Sequence, residues 1–204
     1  MLKARDASIT RDEILQASLD EIHRHGFQSA SLTRILKNTG LTKGALYHHF
    51  RNKNELGYAV VDECLKKYLD YYWVSRIESA ADPLQGLIEA LAKAYEEQGD
   101  EVIQLGCPLN NLAQEMSPID EGFRLRINAL YEQWQDAIAG ALQKGQMSGI
   151  LRRNFSAVQV ARFIIASIEG SIGIAKNAQS KALLNDCCQG LMDYLNTLKI
   201  ITED

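Results

Sequence analysis

No stretch of the 204-residue chain sustains an alternation of apolar and polar residues, and no tight-turn signal joins two strand-like runs. A sheet is therefore not expected. The signatures of common catalytic sites are missing too. There is no phosphate-cradling glycine loop, no dinucleotide-binding glycine pattern, no HExxH and no nucleophile elbow. The expectation is a binding protein and not an enzyme, with no catalytic residue, no cofactor and no metal. Cysteine is sparse, at 64, 107, 187 and 188, without zinc-site spacing. Cys187 and Cys188 are adjacent on an expected helix and point about 100° apart, which suits neither a chelate nor a bridge. No segment approaches the roughly 20 apolar residues that span a bilayer. The N-terminal MLKARDASITRDEIL has charges where a signal peptide has an apolar core and cleavage site. These absences point to a cytoplasmic location without a membrane partner, where structural disulfides rarely persist. Internal repeats and low-complexity segments are absent as well.

Charge is unevenly spread. Residues 1 to 57 contain nine Lys/Arg and six Asp/Glu, a net +3, and the remainder thirteen and twenty, a net −7. All four histidines lie in the first part. An acidic protein with one basic end can meet phosphate there and stay soluble elsewhere.

Within that basic part, SLTRILKNTGLTKGALYHHFRNK at residues 31–53 is the most informative stretch. Ser31 can cap a short helix whose buried side is Ile35 and Leu36, and Gly40 stands where the chain must take positive φ to stop it. Thr42 can cap a second helix in which Ala45 and Leu46 pack inward. Two helices joined around a glycine form a helix-turn-helix, whose second helix can enter the major groove of DNA. A merely solvated hairpin would not need the chemistry left outside. Tyr47 and Lys53, with Thr33 and Thr42, suit phosphate contacts, and Lys43, Gly44, Ala45 and His48 suit the base edges. His49 adds a second imidazole at the helix end.

Residues 10–56 resemble the DNA-binding domain of the TetR family of transcriptional regulators. The likeness is carried by ILQAS at 14–18, Gly26-Phe27, the Ser31 to Gly40 helix and turn, Leu41 through Phe50, and Lys53 with Glu55-Leu56. It covers about a quarter of the chain and its KGxLYxHF core is specific. Ile22 stands where the family usually has an aromatic residue, and Leu36 where a small one is more common. The resemblance implies an all-α fold, with an N-terminal three-helix domain at 1–56 and a larger helical ligand-binding and dimerisation domain at 57–204. It also implies a homodimeric repressor that binds a palindromic double-stranded DNA operator and is released by a small-molecule or reactive inducer. The alternative is a DNA-binding structural or cell-cycle factor of the same fold without an inducer.

Elsewhere the chain reads as amphipathic helices. Thr10 and Glu13 form a capping-box pattern opening the first, which carries Leu15, Leu19 and Ile22. A long helix from about Lys53 carries Leu56, Val60, Cys64 and Tyr68 at four-residue spacing and joins the two domains. Pro83 starts another, lined by Leu84, Leu87, Leu91 and Tyr95. Pro108 begins a short one ending near Met116, and Phe123, Ile127, Leu130, Trp134, Ile138 and Ala141 mark a long one ended by Gly145 and Gly149. From Ser156 to Lys176 there are two stripes: Ala161, Ile165, Ile168 and Ile172, and then Phe163, Ser167, Gly170 and Ile174. A helix with two such faces requires partners on both. A fully buried monomeric core helix answers that need, as does a dimer interface. The family resemblance favours the dimer, with Leu191 and Leu195 of the last helix beside Phe163, Ser167, Gly170 and Ile174.

Tyr95, Tyr131 and Trp134 are candidates for lining a ligand pocket among the aromatic residues, against the alternative of ordinary core. Cys107 precedes an expected helix start, and GCPLNNLAQE resembles the corresponding helix in a subset of the family, some of whose members sense electrophiles or oxidants through cysteine. It is read either as a sensor or as a small packed side chain.

Overall fold

The computed structural model describes residues 7–200; residues 1–6, part of the charged N-terminal stretch, and 201–204 lie outside the described residues. The described residues are helical apart from short connections and one isolated antiparallel bridge between Leu151 and Lys199. The helices are α1 (Ala7–His25), α2 (Leu32–Thr39), α3 (Lys43–His49), α4 (residues 53–79), α5 (Pro83–Leu105), α6 (Pro108–Met116), α7 (Glu121–Met147), α8 (Ala157–Ala178) and α9 (Lys181–Asn196).

Compactness divides the chain differently from the expected boundary after residue 56. One unit gathers residues up to Lys67 together with Pro108–Asn128, and the other Tyr68–Cys107 together with residues from Ala129 onward. The reason is that α6 and the start of α7 supply packing and hydrogen bonds to the N-terminal helices. Phe123 meets Phe27 edge to face at 4.6 Å and Tyr58 at 4.9 Å. Gly57 makes this possible: a Cβ there would stand 2.6 Å from Phe123 Cζ and closer still to Phe27. Around these rings the buried core includes Ile14, Ile35, Leu46, Phe50, Leu56 and Val60, each burial stabilising by roughly 1.5–3 kcal/mol before entropy is counted.

Two local expectations are corrected in this unit and its continuation. The first helix has already formed by Ala7, so Thr10 lies inside it, buried, and does not cap it. In α4 the residues 60–65 and 70–74 are π-helical, and such wide turns displace a four-residue stripe. The buried series becomes Val61, Leu65, Leu69, Trp73 and Ile77, with Cys64 and Tyr68 beside it, half-buried.

In the second unit, Asp82 accepts hydrogen bonds from the Leu84 and Gln85 amides and Pro83 occupies the first turn of α5, where a missing N–H costs nothing. Ser156 and Ser180 cap α8 and α9 in the same manner. The Trp73 and Trp134 rings meet at a tilt of 44°, centroids 4.8 Å apart. Val102, Ile103, Ala175 and Leu184 form a further cluster with Tyr95 and Ile172 against it. Gly149 has φ +78°, but Gly145 does not end α7; it lies within the helix, where a Cβ would stand 2.7 Å from Leu151. Contrary to the sequence reading, α8 is long and apolar enough to cross a bilayer. Its inner Ile164, Ile165 and Ile168 are packed within the unit, and the helix also carries Arg162, Glu169 and Lys176.

Candidate DNA interface and ligand site

The geometry of the helix-turn-helix follows from its caps. Ser31 is extended and its hydroxyl accepts from the Arg34 amide; Gly40 ends α2 at φ +66°; Thr42 Oγ1 accepts from the Ala45 amide at 3.2 Å. Leu46 is buried and anchors α3, and Phe50 closes it. That anchoring leaves Thr42, Lys43, Gly44, Tyr47 and His48 exposed, with Ala45 and His49 half-buried. Lys43 Nζ lies 5.7 Å from the Tyr47 ring centroid, and Gly44 has only Thr42 Oγ1 near the position a Cβ would take. Thr33 is exposed on α2. Lys53 is more engaged than expected: its Nζ donates to the Gln28 carbonyl at 3.0 Å and lies 5.0 Å from the Phe27 ring centroid, and partial burial lowers its pKa.

Carboxylates that the sequence reading did not single out brace this platform. Glu21 of α1 is buried and accepts from the Ser31 amide at 2.9 Å and from Arg34 Nε at 2.7 Å. Burial alone would raise its pKa, but these hydrogen bonds and the guanidinium charge outweigh that and hold it below the usual value. Glu115 of α6 accepts from the Phe27 and Gln28 amides at 2.7 and 2.8 Å, at the turn where Gly26 has φ +78°. Asp120 accepts from Tyr58 and from the Phe123 amide, both at 2.9 Å, which caps α7. Lys37 and Arg51 are further exposed cations flanking α3; their place at the end of α2 and just past α3 was the available signal.

In the second unit, the predicted ligand residues separate into two places. Tyr95 packs on the Val102–Leu184 cluster, with Lys181 Nζ 5.7 Å from its ring centroid. Cys107 is buried, and Tyr131 is half-buried with its hydroxyl end deep enough for burial to raise its pKa strongly. Both share an electrostatic neighbour, Glu169 of α8, which also acts on Tyr68. Trp134, one turn beyond Tyr131, is fully buried and its indole N–H has no acceptor. Glu169 was missed because it falls between Ile168 and Gly170 in a segment read for its apolar stripes. All four cysteines are unbridged, and among the described residues no group of three or more His, Cys, Asp or Glu is arranged to hold a metal ion.

The expected dimer residues divide as well. Phe163, Gly170 and Ile174 are exposed on α8, Ser167 is half-buried, and Phe163 meets Tyr194 of α9 edge to face at 5.0 Å. Leu191 and Leu195 are corrected: both are buried in their own unit, because the outward side of α9 carries Gly190, Asp193 and Tyr194 in their place.

Comparison with known proteins places this architecture. Residues 14–60 match the family model of bacterial regulatory proteins of the tetR family, and residues 80–189 match the C-terminal domain of LmrA/YxaF-like transcriptional regulators. An uncharacterized HTH-type transcriptional regulator from the lacX 3′ region of Lactococcus lactis is 35% identical, covering 86% of this chain and 87% of the relative. The transcriptional regulator AcuR of Cereibacter sphaeroides is 29% identical over 85% of this chain and 79% of its own. The crystal structure of a TetR regulatory protein from Rhodobacter sphaeroides superposes with a TM-score of 0.81 at 25% identity, covering 91% of this chain and 98% of that one. The chain belongs to the TetR family of transcriptional regulators: it is a transcription factor of helix-turn-helix type and not an enzyme.

Proposed function

We propose that the chain is a cytoplasmic repressor that binds an inverted-repeat operator as a homodimer and leaves it when a small molecule occupies the region beyond residue 56. The observation that carries the DNA reading is α3, anchored by Leu46 and Thr42 and offering Lys43, Gly44, Tyr47 and His48 to the outside. Lys43 and His48 supply donors for base edges, Gly44 and Ala45 permit close approach, and Tyr47, Thr33, Thr42 and Lys53 hold phosphate. Lys37 and Arg51 add to the backbone contacts. The homodimer reading is supported by the exposed apolar and small residues Phe163, Gly170, Gly173 and Ile174 on α8, since two-fold pairing of such a face matches two half-sites. An inducer is favoured over the ligand-independent alternative by the partnerless polar atoms inside the second unit.

Selection of genomic DNA fragments with the purified protein tests this function. Enrichment of one inverted-repeat sequence, abolished in Lys43→Ala/Tyr47→Ala protein that remains folded, is the expected result. Retention of all fragments alike overturns it.

A further inference from the structure

The second unit holds a carboxyl group that folding does not explain. Glu169 is 8% exposed, on the inward side of α8 beside Ile165 and Ile168. Its one hydrogen-bonding neighbour is the Cys107 thiol, an inherently weak donor that favours the charged form, and no N–H or hydroxyl donor reaches either oxygen. An unpaired carboxylate in a core is costly, and replacing it by an apolar side chain usually relieves the cost. Trp134 presents the complementary anomaly, a buried indole N–H without an acceptor. Tyr131 stands one turn from Trp134 on α7 and is coupled to Glu169, as is Tyr68. Glu169 is the carboxyl neighbour common to these two phenols and raises both, with Glu101 adding to Tyr68. The surroundings are thus aromatic, with a carboxyl served by a thiol alone and an indole N–H lacking an acceptor.

We infer that Glu169 is the recognition group for an aromatic organic cation, an amine or amidine, bound in the second unit against Tyr68, Tyr131 and Trp134. The assignment rests on the reading that this unit takes a small-molecule inducer. A cationic N–H group satisfies the carboxylate, aromatic faces attract the same charge, and an acceptor elsewhere on the ligand meets the indole N–H. Burial pushes Glu169 up to about 7. Tyr68, Tyr131 and Cys107 are the titratable groups facing it, and both phenols are raised and stay protonated below that range. Cation binding therefore strengthens as pH rises through 7.

The test is calorimetric titration of the full chain without DNA, using benzamidinium, benzamide and benzoate at about pH 6 and about pH 8. Benzamidinium binds at least tenfold more tightly than the other two, and its affinity rises about tenfold between the two pH values, the change in the ionised fraction of a group with pKa 7. Glu169→Gln removes that preference and the pH dependence while its unliganded melting temperature at pH 8 stays level or rises. Trp134→Phe, which keeps the ring, weakens benzamidinium less than Glu169→Gln does. No benzamidinium binding, equal binding of benzamide, or unchanged binding by Glu169→Gln overturns the assignment. A fall in the melting temperature of Glu169→Gln overturns it also, by marking a structural role. Operator release is measured separately: benzamidinium that binds through Glu169 without displacing DNA supports the assignment and refutes the inducer reading.

Discussion

Two buried glutamates, one in each compact unit, are equally hidden from water and electrostatically opposite. Glu21 has the Ser31 amide and Arg34 around its carboxylate, and its pKa is lowered although burial works against it. Glu169 has only the weakly donating Cys107 thiol beside its carboxyl and is pushed up to about 7 by burial. Burial alone therefore does not decide what a charged residue is for; the provision made for its charge does. Glu21 fixes the start of α2 and so the platform from which α3 projects. Glu169 is left for something the chain itself does not supply.

Removing Glu21 should sharpen the contrast most. Glu21→Ala leaves the Ser31 amide without its acceptor, while the exposed Arg34 keeps its bond to the Ser29 carbonyl, and urea unfolding of the full chain should show a loss of about 1–3 kcal/mol. The lowered pKa means this contribution is present above the unfolded carboxyl value and fades as pH falls through the folded one. Glu169 should behave in reverse. Its folded pKa lies above the usual 4.5, so the native state binds the proton more tightly and stability falls as pH rises from about 4.5 to about 7. Glu169→Gln should flatten that slope and gain roughly 1–3 kcal/mol at pH 8. If both variants lose stability alike, the comparison fails.

A smaller effect separates assembly from reading. Gly170→Arg places bulk and charge where the surroundings are open, so the monomer should keep its fold while light scattering shows dimer lost and operator affinity falls tenfold or more, about 1.4 kcal/mol. An intact dimer would exclude this face. The smallest effect belongs to Lys53, one of whose donors is already given to Gln28. Lys53→Ala should weaken binding to all sequences similarly and reduce the salt slope by about one unit per subunit, whereas Lys43→Ala should alter preference at particular base pairs.

What was legible in the sequence follows the range of the interactions. Ser31, Gly40, Thr42, Pro83 and Ser156 act within three residues of themselves, so cap and first-turn chemistry located α2, α3, α5 and α8, although the Asp82 cap itself was not read. Glu115 reaches the Phe27 and Gln28 amides across 88 and 87 residues, and no local pattern announces such a brace. For the same reason the compact division after Lys67, with Pro108–Asn128 returning to the first unit, was not visible in periodicity. The π turns of α4 displaced a stripe by one residue, since a regular repeat assumes an unbroken α-helix. In the candidate sites, surface chemistry on α3 was readable because a short helix with one buried leucine leaves little doubt about its outward face. Glu169 was hidden by its apolar neighbours, and Leu191 and Leu195 were assigned to the wrong side of α9 because apolar spacing does not say which partner covers it.

The central claim, that α3 reads sequence for a paired protein, is tested most directly by footprinting the intact chain on its selected genomic fragment. The account predicts two protected half-sites of inverted sequence about one helical turn apart, or a multiple of it, lost together in Lys43→Ala/Tyr47→Ala protein of unchanged helicity. A single asymmetric footprint, or a protection pattern that survives both substitutions, would contradict it.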